Sequence, residues 1–226
     1  MARIAFFDLD KTLISRNSAT LWIRFELDAG RVTRLRALQA LGWILRYSLG
    51  ASDMTEAIRR GVATVAGQRE DEMRERVLQF YELLRPLYRP GALEAVRAHR
   101  AAGDRTVLLT SSSNYVSERV RDDLKLDDFV CNRFEVDATG CYTGRPIEPL
   151  CFGAGKVVLA AQYAARFGAA LSDALFYTDS HSDVPMLEAV GHPVAVNPDP
   201  RLRRLARQRR WQTVDWGLPK ERLLNG

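Results

Sequence analysis

Residues 3–12 read RIAFFDLDKT, a short apolar run that ends at once in two acids. The acids come too early for a secretory leader, so we interpret Arg3–Phe7 as the first β-strand. Asp8 and Asp10 are two residues apart, and residues two apart at a strand end point to the same side. Close carboxylates repel unless a cation lies between them, and Mg²⁺ prefers hard oxygen ligands. The stretch therefore predicts a strand that ends in a candidate magnesium site, although without this context a D-x-D pair would predict only a capped turn.

Three further apolar runs of strand length are widely spaced along the chain, at Thr106–Leu109, Ala174–Tyr177 and Pro193–Val196. Helical patterns lie between them, and strands that alternate with helices indicate an α/β fold with a parallel sheet. The residues FEVDATGCY, from Phe134 to Tyr142, alternate around an Ala-Thr-Gly turn and predict a β-hairpin.

One long stretch interrupts this alternation, because Asn17–Leu87 shows helical patterns and no convincing strand. Within it, Asp53 followed by Glu56 fits a helix capping box, and Arg69–Leu84 repeats apolar residues at helical spacing. We expect a small helical cap domain inserted after the first strand. We predict a cap domain at residues 16–87 and a sheet domain formed by residues 1–15 and 88–226.

The net charge of +5 is local, because residues 201–210 hold six arginines and no acid. Removing those six charges leaves −1 for the remainder of the chain. Such a segment can contact nucleic acid or an anionic membrane. No aromatic platform or nucleic-acid motif accompanies it, so we favour a solvated helix whose Leu202 and Leu205 pack inward. Nucleic-acid binding is therefore not expected.

The stretch Leu35–Leu49 is rich in leucine and large apolar residues and also contains Arg36 and Arg46. It fits either a surface that touches a membrane or an apolar substrate, or a well-packed cap helix, and we favour the packed helix. Nowhere does the sequence approach the ~18 consecutive apolar residues of a spanning helix. Its 46% hydrophobic and 27% charged residues are those of an ordinary soluble globular protein. We therefore expect a cytoplasmic protein without membrane contact.

Polar residues follow the predicted strands at matching positions. Asp8 ends the first strand, Thr110 the second and Asp179 the third. Because ligands of an open parallel sheet bind beyond the carboxyl ends of its strands, these three side chains should converge on one edge. Asp183, four residues after Asp179, lies near a helix start, where it can cap the helix or belong to a metal site.

Two further segments indicate a phosphate site. In Gly153–Lys156 a lysine precedes the predicted helix Val157–Phe167. A positive charge is unfavourable at the start of a helix because of the helix dipole, so we expect this lysine to bind a negatively charged group. The residues Thr110–Asn114, with Ser111 among them, offer hydroxyl and backbone N–H groups at a strand-to-helix turn. Such turns bind phosphate oxygens, although capping of the predicted helix Tyr115–Leu124 would also explain Ser/Asn there.

In this order the motifs resemble the haloacid dehalogenase (HAD) superfamily. The residues that carry the resemblance are Asp8-x-Asp10-x-Thr12, then Thr110, then Lys156, then Asp179 and Asp183. The helical stretch after the first motif is similar to the small cap of the phosphoserine-phosphatase-like branch, subfamily IB. The resemblance implies a Rossmann-like core, Mg²⁺ as cofactor and hydrolysis of a small phosphorylated substrate.

The resemblance also implies a role for each matched residue. Asp8 attacks phosphorus and carries an aspartyl-phosphate, while Asp10 is the general acid and base. The expected phosphate-binding residues are Thr110, Ser111 and Lys156. The expected metal site comprises Asp8, Asp179, Asp183 and Asp10, the last through its backbone carbonyl.

The substrate is less defined. Phosphoserine phosphatases have a cap glutamate about nine residues after the nucleophile, and the resemblance places Asn17 there. Asparagine does not supply a negative charge, so the chain resembles more closely other members of that branch, some of which are histidinol-phosphate phosphatases. Arg16 either binds an anionic group of the substrate or is solvated. The alternatives are a phosphotransferase or mutase, a membrane-associated lipid phosphatase, and a non-catalytic binding protein that uses residues 201–210. The sequence does not define the oligomeric state.

Overall fold

The computed structural model describes residues 3–48 and 54–219. The strands in these ranges are β1 (Ile4–Phe7), β2 (Arg105–Ser113), β3 (Asp128–Asn132), β4 (Phe134–Val136), β5 (Tyr142–Pro146), β6 (Leu175–Thr178), β7 (His192–Val196) and β8 (Gln212–Val214). The helices are α1 (Ser18–Asp28), α2 (Arg34–Ser48), α3 (Met54–Ala63), α4 (Glu70–Leu84), α5 (Pro90–Ala101), α6 (Asn114–Leu124), α7 (Ala154–Ala165), α8 (Val184–Ala189) and α9 (Pro200–Arg209).

Six strands form one parallel sheet in the order β3-β2-β1-β6-β7-β8. Side chains of the central strand β1 alternate between two buried layers, with Ala5 and Phe7 on one face and Ile4 and Phe6 on the other. Helices α5 and α6 cover the first face, and α7, α8 and α9 cover the second. The predicted α/β fold with a Rossmann-like parallel sheet is confirmed.

Two strands of the sheet were not predicted from the sequence, and one is longer than predicted. β3 and β8 lie at the sheet edges, where most of their side chains are only partly buried, so neither has the apolar run of a central strand. β2 continues past Leu109 to Ser113 after a shift in its pairing with β3. Thr110 therefore lies within β2 rather than just beyond it, and α6 begins immediately afterwards.

Helices α1 to α4 occupy the chain between β1 and α5, as the helical pattern predicted. Trp22 of α1 packs edge-on against Phe80 of α4, with ring centroids 5.1 Å apart. Asp53, half of the predicted capping box, lies outside the described residues. The division into domains at residues 16 and 88 stays a prediction.

The predicted hairpin is confirmed by the antiparallel pair β4 and β5. It is joined to the start of α4 by backbone hydrogen bonds. The N–H of Gly67 donates to the carbonyl of Tyr142 at 2.8 Å, and the N–H of Glu70 donates to that of Gly140 at 2.9 Å. The hairpin thereby ties the helical insertion to the part of the chain that leads into α7.

The expectation that α2 is a well-packed helix is wrong for its leucines. Leu35 is 67% exposed and Leu38 is 71% exposed, while Ala37 is buried. Helix α2 contacts α1 and α3, and no element in the described ranges covers these two leucines. In α9, Leu202 is buried and Leu205 half-buried, as expected of a solvated basic helix. No helix in the described ranges is long and apolar enough to cross a membrane.

Candidate active site

The carboxyl ends of β1 and β6 bring the predicted acids together. The N–H of Asp8 donates to the carbonyl of Tyr177 at 2.9 Å, which extends the pairing of the two strands by one residue. The N–H of Asp179 donates to the hydroxyl of Thr12 at 2.9 Å, although the two residues are 167 positions apart. The convergence predicted from the strand ends is therefore present for Asp8 and Asp179, and Thr12 hydrogen-bonds to the second of them.

Lys156 lies at the centre of this cluster. Its Nζ is 2.8 Å from Oδ1 of Asp8 and 2.9 Å from Oδ2 of Asp183, and the side chain is 97% buried. Burial alone would lower the pKa of this lysine, but the two carboxylates outweigh it and hold the pKa above its usual range. The lysine therefore stays charged and fixes the two acids relative to each other.

The position of Lys156 depends on the glycine before it. A Cβ placed on Gly155 would lie 1.9 Å from the carbonyl oxygen of Leu150, so only a residue without a side chain fits. This close approach lets α7 begin at Ala154, three residues earlier than predicted, with Lys156 in its first turn. The unfavourable dipole is offset by the two carboxylates that the lysine meets.

Burial dominates the titration of the acids at the strand ends. It raises the pKa of Asp8 to about 7 and raises the pKa of Asp179 well above its usual value. Burial likewise raises the pKa of Asp10. Carboxyl groups that are this costly to ionise favour a bound cation or an additional hydrogen-bond donor.

Asp183 stands at the start of α8, but its carboxylate makes no capping hydrogen bond there. Instead Oδ2 accepts from the hydroxyl of Thr178 at 2.6 Å and from Lys156. The interpretation of Asp183 as a helix cap is therefore wrong. The carboxylate holds the lysine, and through it the orientation of Asp8.

Asp10 is held by the first residue of the helical insertion. The N–H of Ser18 donates to Oδ1 of Asp10 at 2.7 Å, and the Ser18 hydroxyl lies 3.1 Å from that of Ser112. Asn17 caps α1, because its side-chain oxygen accepts from the N–H of Thr20 at 2.9 Å. Sequence reasoning did not find Ser18, since nothing in its surroundings distinguishes it from a helix-start serine.

Arg16, the other candidate for substrate specificity, has an exposed side chain. Its carbonyl accepts from the N–H of Lys11 at 3.1 Å, within the tight loop that follows Asp8. Arg89, which sequence reasoning missed, is buried and donates through Nε to the Lys11 carbonyl at 3.1 Å. The loop adopts a positive φ of 57° at Lys11, and these two bonds hold that backbone in place.

The predicted phosphate-binding segment lies at the end of β2. Thr110 is buried, and its hydroxyl accepts from the N–H of Ser112 at 3.1 Å. The carbonyl of Ser111 accepts from Nδ2 of Asn132 at 2.7 Å, and Oδ1 of Asn132 accepts from the N–H of Cys151 at 2.7 Å. Asn132, which the sequence did not single out, therefore links this segment to the loop that leads into Lys156.

A divalent cation fits the charge of this cluster. Asp179 is 94% buried, yet it forms no ion pair within the described ranges, because Lys156 pairs with Asp8 and Asp183. Among the residues described, no three Asp, Glu, His or Cys side chains are grouped closely enough to hold a metal by themselves. Substrate oxygens and waters would therefore complete the coordination, which is the usual mode for Mg²⁺.

A parallel sheet with buried acids and a lysine near its strand ends is the arrangement that the sequence motifs predicted. The model of the haloacid dehalogenase-like hydrolase family matches residues 5–188, so the chain belongs to that family. The resemblance predicted from the four motifs is thus confirmed.

Named relatives agree with this assignment. The chain is 33% identical to the "Inhibition of morphological differentiation protein" of Streptomyces azureus, over 95% of this chain and 79% of the relative. It is 28% identical to a histidinol-phosphatase of Neisseria meningitidis serogroup C (strain 8013), over 96% of this chain and 100% of the relative. A solved phosphoserine phosphatase with bound substrate matches at a TM-score of 0.70 and 18% identity, covering 90% of each chain. At that identity the match shows the fold alone, which is the fold of the predicted branch.

Proposed function

We propose that this hydrolase cleaves phosphate monoesters of small metabolites through an aspartyl-phosphate on Asp8. The observation that carries the proposal is the buried contact of Lys156 with both Asp8 and Asp183, beside the polar end of β2. A buried lysine that contacts an acid at the carboxyl ends of parallel strands suits an anionic substrate. The family membership makes phosphoryl chemistry the natural use of such a site.

Asp8 is the nucleophile in this mechanism. One of its carboxylate oxygens forms a bond to phosphorus as the bond from phosphorus to the ester oxygen breaks. Lys156 orients that carboxylate in the resting state and neutralises charge on the transferring phosphoryl group in the transition state. Thr110 and Ser111, at the end of β2, supply hydroxyl and backbone donors for the remaining oxygens.

Asp10 is the general acid and the general base in this mechanism. In the first step its carboxyl group protonates the leaving alcohol, and in the second it removes a proton from the water that releases phosphate. The N–H of Ser18 holds Oδ1 of Asp10 at the entrance to the helical insertion. Acid catalysis and the position of α1 are therefore connected through one hydrogen bond.

The cation of this proposal is Mg²⁺, which would be held by Asp8, Asp179 and the backbone carbonyl of Asp10. When bound, it supplies positive charge against the acids and the phosphate oxygens. The carboxylate of Asp179 supports this assignment, because it is buried and forms no ion pair with the residues that the structure describes. Asp183 belongs to the same site in our proposal, and its hydrogen bonds favour a role in holding Lys156.

The substrate class we favour resembles histidinol phosphate. The full-length match to a histidinol-phosphatase supports it. Asn17 directs its side-chain oxygen to the N–H and hydroxyl of Thr20, so this residue is engaged in capping α1. Without a carboxylate at that position, the site lacks the negative charge that would bind the ammonium group of phosphoserine. Arg16, exposed next to it, remains the candidate for an anionic group of the substrate.

The experiment is phosphate release from a panel of esters, measured with Mg²⁺ and with EDTA. The panel includes histidinol phosphate, phosphoserine, sugar phosphates, nucleotides and a lysophospholipid phosphate. We expect turnover that requires Mg²⁺ and is abolished in Asp8→Asn, which keeps the shape of the side chain but not the nucleophile. Transfer of the phosphoryl group to an added alcohol, in preference to water, would favour a phosphotransferase. Mg²⁺-independent turnover, or full activity of Asp8→Asn, would contradict the mechanism.

A further inference from the structure

Helix α2 presents an apolar face to solvent. Leu35, Leu38 and Leu41 are 67%, 71% and 38% exposed, and their spacing of three residues places them on one side of the helix. Ala37 of the same helix is buried. Single exposed leucines are normal on a protein surface, whereas three neighbours on one helix face mark a contact surface.

The charge of α2 indicates which partner this face fits. The helix contains three arginines and no acid. Arg34 and Arg36 are exposed and form no ion pair with any residue in 3–48 or 54–219. Helix α4 differs in this respect, since it also exposes Leu78 and Leu83 but begins with three acids. Arg34 lies on the leucine side of α2, four residues before Leu38, whereas Arg36 lies on the opposite side with Ala40 and Trp43. The leucine face therefore has one exposed arginine beside it, on a helix without acids, which suits an anionic and apolar surface.

We propose that α2 is a peripheral attachment site for anionic lipid membranes, with Leu35, Leu38 and Leu41 in the headgroup region and Arg34 at the lipid phosphates. An outward row of leucines beside arginines is typical of helices that lie in the membrane interface. The helix has 15 residues, fewer than the ~20 needed to span, so the contact is peripheral. A second copy of the chain fits less well, because a two-fold contact would bring unpaired arginines together.

Co-sedimentation of the full chain with lipid vesicles tests this proposal independently of catalysis. The vesicles contain phosphatidylcholine alone or with phosphatidylglycerol. We expect binding to the anionic vesicles that weakens as salt is raised. Leu35→Ser/Leu38→Ser should lower the vesicle partition coefficient by about tenfold or more, since burial of one leucine contributes at least that factor. Arg34→Gln should lower it by about fivefold, whereas Arg36→Gln, on the opposite side of the helix, should leave it unchanged.

Leu78→Ser/Leu83→Ser is the matched control, because it makes the same change at exposed leucines of α4 and should leave binding unchanged. An unchanged urea midpoint shows that each variant is folded. Three results would overturn the proposal. The first is wild-type protein that stays in the supernatant with anionic vesicles, and the second is equal binding after Leu35→Ser/Leu38→Ser. The third is a dimer, detected by light scattering, that the same serine variant dissociates, which would assign the face to a second copy.

Discussion

A methyl group at Gly155 tests how the start of α7 places the buried lysine. A Cβ built there lies 1.9 Å from the carbonyl oxygen of Leu150 and 3.1 Å from its carbonyl carbon. Non-bonded carbon and oxygen atoms need more than about 3 Å, so the helix start or the Leu150 peptide has to move by about 1 Å. Both partners are backbone, so no side-chain rotation relieves the contact.

Gly155→Ala should therefore affect both stability and rate. Overpacking of this kind costs about 1–3 kcal/mol, and in a chain of this length each kcal/mol lowers Tm by about 2–4 °C. Lys156 is the next residue and moves with the helix start. Because a misplacement of about 1 Å in a positioned group costs about 10²-fold in rate, we expect kcat for ester hydrolysis to fall by about that factor.

The assay is phosphate release with Mg²⁺, together with thermal unfolding of the same samples. Gly61→Ala is the control, because this glycine is also helical but a Cβ there meets nothing within 4 Å. That variant should keep kcat and gain about 0.5–1 kcal/mol from better helix propensity. A Gly155→Ala variant with wild-type kcat and Tm would refute the reasoning.

Three further predictions follow from individual hydrogen bonds and ion pairs. Ser18→Pro removes the N–H that donates to Asp10 but keeps α1, since proline is tolerated at the first helical position. We expect phosphate release from alkyl esters, whose leaving group needs a proton, to fall by about 10²-fold. Release from p-nitrophenyl phosphate should fall much less. Ser18→Ala keeps that N–H and removes only the hydroxyl, so it should lose less activity than Ser18→Pro. Equal losses on both esters would contradict a role in proton transfer. Lys156→Met leaves two buried carboxylates without their cation and should lower the free energy of unfolding at neutral pH by about 3–5 kcal/mol, so an unchanged urea midpoint would count against the ion pairs. Burial works to raise the pKa of Asp104, but hydrogen bonds, chiefly that with His99, hold it below its usual value. A lowered carboxyl pKa contributes stability above about pH 4 that is lost as the pH falls further, so the difference in urea midpoint between wild type and Asp104→Asn should shrink between about pH 5 and pH 2; a pH-independent difference would refute this.

The sequence by itself determined the fold class and most of the candidate site. Central strands such as β1 are buried on both faces and therefore appear as apolar runs, and the hairpin follows from alternation around a glycine turn. Asp8, Thr110 and Asp179 could be selected because parallel strands end at a common edge, and Lys156 because a lysine at a helix start is unfavourable for the helix dipole. That rule depends only on local pattern and chain direction, which a sequence contains.

Tertiary structure alone decided which side chains meet within the site. Asp183 could have capped α8, but the position of Lys156 directs its carboxylate elsewhere. Ser18 is indistinguishable in sequence from an ordinary helix-start residue until α1 is placed against Asp10. The leucines of α2 have the periodicity of a buried face, yet they are exposed because no described element packs over them. Periodicity defines which residues share a face, whereas burial depends on what lies opposite that face, and that is set by contacts between distant segments of the chain.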